Sequence, residues 1–128
     1  MQERSLPAPY AHIHALIAED DALIAFDMEQ TLVHRFGMKV SLAHNVRDGL
    51  AVFEADRPHI AVLDYNLDGD GIEPLAQALF EANVPVIFVS GYPSHALAPL
   101  ARGLTLEKPH SAEDLAAMVT EALTRLSP

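Results

Sequence analysis

The sequence predicts an α/β fold in which a five-stranded parallel sheet is covered by helices on both faces, and three observations carry that prediction. Short apolar runs of strand length alternate along the chain with segments of helical periodicity. Half of the 128 residues are apolar, enough to bury a sheet on both sides. The length suits one domain, which we place at 14–126, with 1–13 as a Pro-punctuated lead-in. That lead-in lacks the basic-then-apolar plan of a secretory signal.

The elements follow in order. Ala15–Ala18 is an apolar run that ends in Glu19-Asp20-Asp21. Ala22–Phe36 is helical, with Ile24, Met28, Leu32 and Phe36 at spacing four, and Gly37 stops it. Lys39–Ala43 is a second strand. Asn45 caps a helix running to Ala55, with Val46, Leu50 and Phe53 on one face. Ile60–Leu63 is a third strand entering Asp64, followed by the turn-rich loop NLDGDG at 66–71. Ile72–Glu81 is helical and buries Ile72, Leu75, Ala76 and Leu79. Pro85–Val89 is a fourth strand and runs into Ser90-Gly91. A short helix over His95–Ala101 is interrupted by Pro99. Leu104–Leu106 is a fifth strand that leads to Glu107-Lys108-Pro109. Ser111 to Asp114 forms a capping box, and Leu115, Met118, Val119, Ala122 and Leu126 form the face of a last helix. Five strands alternating with five helices, joined by right-handed crossovers, give a doubly wound flavodoxin-like sheet of order 2-1-3-4-5, (βα)5.

Composition excludes several functions. The formal net charge is −10, from 18 acidic and 8 basic residues, so nucleic acid and anionic membranes would repel this chain. No apolar run reaches the length of a membrane span. There is no cysteine, so disulfides and thiolate metal sites are absent, in keeping with a cytoplasmic location.

In a doubly wound sheet, ligands bind at the carboxyl ends of the strands. The first strand delivers Glu19, Asp20 and Asp21 there, the third Asp64, the fourth Ser90 and the fifth Lys108. Clustered carboxylates repel one another, so they take up protons or bind a cation. All-oxygen ligands favour Mg²⁺. A neighbouring ammonium and a hydroxyl suit the outer oxygens of a phosphoryl group, and an aspartate can act as its nucleophile.

These residues sit in four segments: ALIAEDD at 15–21, HIAVLDYNLDGDG at 59–71, VPVIFVSGY at 84–92 and LEKP at 106–109. In order and spacing they resemble the receiver domain of bacterial two-component response regulators, the CheY-like family, over residues 14–126. The resemblance implies a phosphorelay receiver that takes a phosphoryl group on Asp64 from a histidine kinase or a histidine phosphotransfer protein, with Mg²⁺ as cofactor. It implies that Asp20 ligates the metal directly, that Glu19 holds it through water, and that the Asn66 backbone carbonyl completes the protein ligands. Ser90 and Lys108 would contact the phosphoryl group, and Lys108–Pro109 would match a peptide bond that is typically cis in the family. Such a domain assists its own phosphorylation and dephosphorylation but is not a metabolic enzyme. With no output domain expected after Pro128, it would signal by contact with a downstream protein, as a monomer or a homodimer.

The chain departs from the family on the fifth strand, where an aromatic usually lies three residues before the Lys. Thr105 occupies that place, and Tyr92 is the nearest aromatic able to take over the switch. His110 follows the Lys-Pro where Phe is common. FVSGY at 88–92 also looks like a receiver subgroup with a Phe-x-Thr-Gly run. Thr105 leaves one rival reading, a phosphate-independent binding module of receiver shape. The intact acid cluster with Ser90 and Lys108 argues against it.

Blander readings fit less well. DYNLDG at 64–69 mimics the opening of an EF-hand loop, but Leu75 stands where its closing Glu belongs. A haloacid-dehalogenase-type phosphatase needs a second Asp where Asn66 stands. The seven histidines, His12, His14, His34, His44, His59, His95 and His110, form no metal-ligand pair and are expected at surface or half-buried positions. Met28 and Met118 are expected in the core.

Overall fold

The computed structural model describes residues 10–67, 71–91, 103–108 and 110–126. The expectations for Tyr92, for a helix at 95–101 and for the Lys108–Pro109 bond lie outside these residues.

The described elements are β1 (His14–Ala18), α1 (Ala22–Phe36), β2 (Lys39–Ala43), α2 (Val46–Ala55), β3 (Ile60–Asp64), α3 (Glu73–Glu81), β4 (Val86–Ser90), β5 (Leu104–Glu107) and α4 (Ala112–Leu123), with a 3₁₀ turn at Thr124–Leu126. The five strands form one sheet of order β2-β1-β3-β4-β5. All four pairings are parallel. This is the doubly wound order that the sequence predicts.

Strands β1, β3 and β4 are buried along their whole length, which is why they read as continuous apolar runs. Alternate side chains point to opposite faces. Leu16, Leu63 and Phe88 face Phe53 of α2 and Leu75 and Leu79 of α3. Ile17, Val62 and Val89 face Met28 and Leu32 of α1 and Leu115 and Val119 of α4.

Caps set the helix ends. The Asn45 side chain accepts from the Asp48 N–H at 2.7 Å. Gly37 ends α1 in a left-handed conformation, φ 73°, and its N–H returns to the last turn. Ser111 and Asp114 form the reciprocal capping box that their spacing predicts.

Four expectations need correction. The buried stripe of α1 is Ala25, Met28, Thr31 and Leu32, while Ile24 is 37% exposed and Phe36 is half-buried against Tyr10. A strict spacing of four drifts around a 3.6-residue helix, so only the middle of that row faces the sheet. Helix α3 starts at Glu73, with Ile72 flanking it and a proline in its first turn, which lacks an N–H that the first turn would leave unbonded anyway. Strand β1 starts one residue earlier, at His14, whose backbone pairs with Lys39. Finally, His14 is buried, not half-exposed. Its Nε2 lies 2.7 Å from Ser41 Oγ, and its N–H donates to His59 Nδ1 at 2.9 Å. Ser41, 27 residues away, thus meets one ring nitrogen of a polar side chain inside the sheet, while His59 holds the His14 backbone. Of the lead-in, Tyr10 packs edge-on against Phe36 and Ile13 is buried.

Candidate functional site at the strand ends

Sheet register assembles the site. Ala18 pairs with Leu63, which sets Glu19 level with Asp64. Asp64 pairs with Val89, and Ser90 with Glu107, which sets Lys108 one step beyond Ser90. The Lys108 N–H donates to the Ser90 carbonyl at 2.7 Å and fixes that corner.

Glu19, Asp20 and Asp64 bring one carboxylate oxygen each to within 4.8 Å of one another. Asp64 is buried to 5% exposure and Glu19 to 1%, while Asp20 is exposed. Asp64 Oδ1 accepts the Asn66 N–H at 3.1 Å and lies 3.4 Å from the Lys108 ammonium. That lysine is two-thirds buried along its side chain, so its stem reaches the cluster over apolar surface. Burial raises the Glu19 carboxyl from 4.5 to about 7. The Asp21 N–H opposes this rise, the Asp64 carboxylate adds to it, and Lys108 lowers it.

Glu19, Asp20, Asp64 and Lys108 converge as the strand ends require. Ser90 closes β4, fully buried, beside Lys108. Asn66 is exposed in the turn after Asp64. Thr105 is half-buried on β5, opposite Phe88. Sequence reasoning missed the role of Asp21. It is exposed, but its Oδ1 accepts the N–H groups of Leu23 and Ile24 at 2.9 and 3.1 Å, while its own N–H donates to Glu19 Oε2 at 3.0 Å. An Asp directly before a helical pattern is the signal that could have found this cap.

The residues fit a hard divalent cation. The donors are all oxygen, and Glu19 Oε1 is buried without a hydrogen-bond partner among the described residues. A cleft of about 500 Å³ between α1 and the start of α4 reaches the cluster at Lys108. Elsewhere on its surface, α1 exposes Leu23 at 77% and Phe26 at 52%.

Comparisons with known proteins agree with this geometry. The family model described as the response regulator receiver domain matches residues 15–120. The transcriptional regulatory protein CseB of Streptomyces coelicolor is 40% identical over 78 residues, which are 60% of this chain and 33% of that protein. CseB of Streptomyces avermitilis is 37% identical over the same share. The chain therefore spans about a third of the length of the curated relatives it matches. A CheY-like receiver from Methanospirillum hungatei superposes with a TM-score of 0.76 at 28% identity, covering 89% of this chain and 95% of that one. The response regulator PhyR of Brucella abortus does so with 0.75 at 30% identity, covering 88% and 48%.

Proposed function

The chain belongs to the response regulator receiver domain family, and from that premise we propose that Asp64 accepts a phosphoryl group from a phosphorylated histidine of a kinase or phosphotransfer protein. The observation that carries this reading is the buried Asp64 carboxylate, flanked by two further acids and by the Lys108 ammonium at 3.4 Å.

In the transfer, one Asp64 oxygen attacks phosphorus in line with the P–N bond of the donor. The P–O bond forms as the P–N bond breaks. The imidazole, protonated on its other nitrogen, takes the electron pair and leaves neutral, and Asp64 becomes a mixed carboxylic–phosphoric anhydride. Glu19, Asp20, Asp64 and the Asn66 carbonyl would hold Mg²⁺, which supplies charge neutralisation for the phosphoryl oxygens. Lys108 adds a second positive charge, and the Ser90 hydroxyl donates to an outer oxygen. The same groups assist hydrolysis of the anhydride. The donor docks over the N-terminal half of α1, where Leu23 and Phe26 stand exposed.

Output passes by protein contact, with Ser90 and Tyr92 as the moving pair in place of an aromatic at position 105. A charge of −10 makes this domain itself a poor ligand for nucleic acid. The transcriptional role in the name CseB belongs to a longer protein, of which the matched segment makes up 33%. No helix among the described residues is long and apolar enough to cross a membrane.

The test is incubation with acetyl phosphate and Mg²⁺, followed by intact mass. One phosphoryl group should add to the wild type and none to Asp64→Asn, because an amide is no nucleophile here. Equal labelling of the variant would move the acceptor elsewhere.

A further inference from the structure

The residue that follows the acceptor heads a string of aromatic rings. The Tyr65 N–H donates to the Val89 carbonyl at 2.9 Å, which ties the turn after Asp64 to β4. The Tyr65 ring meets Phe88 edge-on, with centroids 6.5 Å apart and planes at 82°. Phe88 is fully buried and meets Phe80 of α3 in the same manner, at 6.2 Å and 69°.

Phe88 also leans over the sheet edge. It pairs with Thr105 in the β4–β5 ladder. A Cβ built on Gly103 would lie 2.6 Å from Phe88 Cε2 and 3.0 Å from the Val86 carbonyl oxygen. The ring therefore occupies the space that a side chain at 103 would fill, beside a residue at 105 too small to claim it. The ring thus fills the space against β5, and a shift of the ring changes the packing there.

From this continuity we propose that Tyr65 and Phe88 couple the state of Asp64 to β5, so that the Leu104–Glu107 edge reports phosphorylation through the two rings. The proposal rests on Asp64 being the acceptor. A phosphoryl group brings bulk and charge to a carboxylate that now accepts the Asn66 N–H, and the Asp64 carbonyl also accepts the Leu67 N–H at 3.0 Å. Tyr65 lies between these two bonds, so any rearrangement of the turn passes through its backbone. Rings in edge contact have discrete arrangements, which is what a signalling equilibrium needs.

The chain has three tyrosines, Tyr10, Tyr65 and Tyr92, and no tryptophan. Fluorotyrosine labelling of the full chain then gives three fluorine resonances, assigned by single Tyr→Phe changes. On adding Mg²⁺ and beryllofluoride, the Tyr65 resonance should move and the backbone amides of Leu104–Glu107 should shift in ¹⁵N spectra. Phe88→Leu should still take one phosphoryl group from acetyl phosphate but lose the shifts at 104–107. Tyr65→Leu, at a half-buried position, should do the same and guards against misfolding of the Phe88 variant. Shifts at 104–107 that persist in both folded variants overturn the coupling and leave Asp64 as acceptor. An unmoved Tyr65 resonance in phosphorylated protein overturns it too. If the wild type takes up no phosphoryl group, the functional reading fails and the coupling fails with it.

Discussion

At the scale of single residues, Glu19 is the most informative side chain. Its carboxyl sits at 1% exposure between a backbone N–H and two further acids, and burial pushes it to about 7 from 4.5. Without a cation, the folded protein holds more protons at Glu19 than the unfolded chain does between those two values. Stability should therefore fall as pH rises from 4.5 to about 7 and level off above. Thermal melts in chelator across that window should show the slope in the wild type and a flatter profile in Glu19→Gln. Matching slopes in the two proteins would remove Glu19 as the cause. The charged residues of this site were legible because each ends an apolar run. His14 was not, since the hydroxyl that meets its buried ring, Ser41, is distant in sequence and close only in the folded sheet. Asp21 was within reach of the sequence, but two acids before it drew attention to metal binding and away from its capping role.

At the scale of elements, strands and the Asn45 and Ser111 caps were legible, and helix faces less so. Continuous apolar runs marked β1, β3 and β4 because both of their faces are covered. Helix α1 misled because Ile24 keeps the hydrophobic spacing yet borders a cleft instead of the sheet. The α2–α3 contact depends on a residue that periodicity does not single out. A Cβ on Gly49 would lie 2.6 Å from Leu75 Cδ2, and Leu75 is fully buried. Gly49→Ala should gain about 1 kcal/mol of helix propensity but lose roughly 1–3 kcal/mol by overpacking. The expected net is a loss on the order of 1 kcal/mol in urea denaturation. A more stable variant would show that Leu75 has room to turn aside. At the start of α4, Ser111→Ala breaks the capping box and should lower stability by about 1 kcal/mol in the same assay.

At the scale of the molecule, the sheet gathers like charges from β1 and β3 at one rim, and their repulsion opposes the fold; a bound cation would offset it. Mg²⁺ should therefore raise the melting temperature by mass action, and Asp20→Ala should abolish that rise while melting higher than wild type in chelator. Unchanged melting in millimolar Mg²⁺ would count against the metal site. The central claim is that the carboxylate of Asp64 becomes an acyl phosphate, and chemical trapping tests it most directly. Protein treated with acetyl phosphate and Mg²⁺ is reduced with borohydride, which converts an acyl phosphate to an alcohol and so an aspartyl phosphate to homoserine, and is then mapped by peptide mass spectrometry. The account predicts homoserine at position 64 and at no other carboxylate; homoserine at Asp20, Asp21 or another acid, with Asp64 intact, would contradict it.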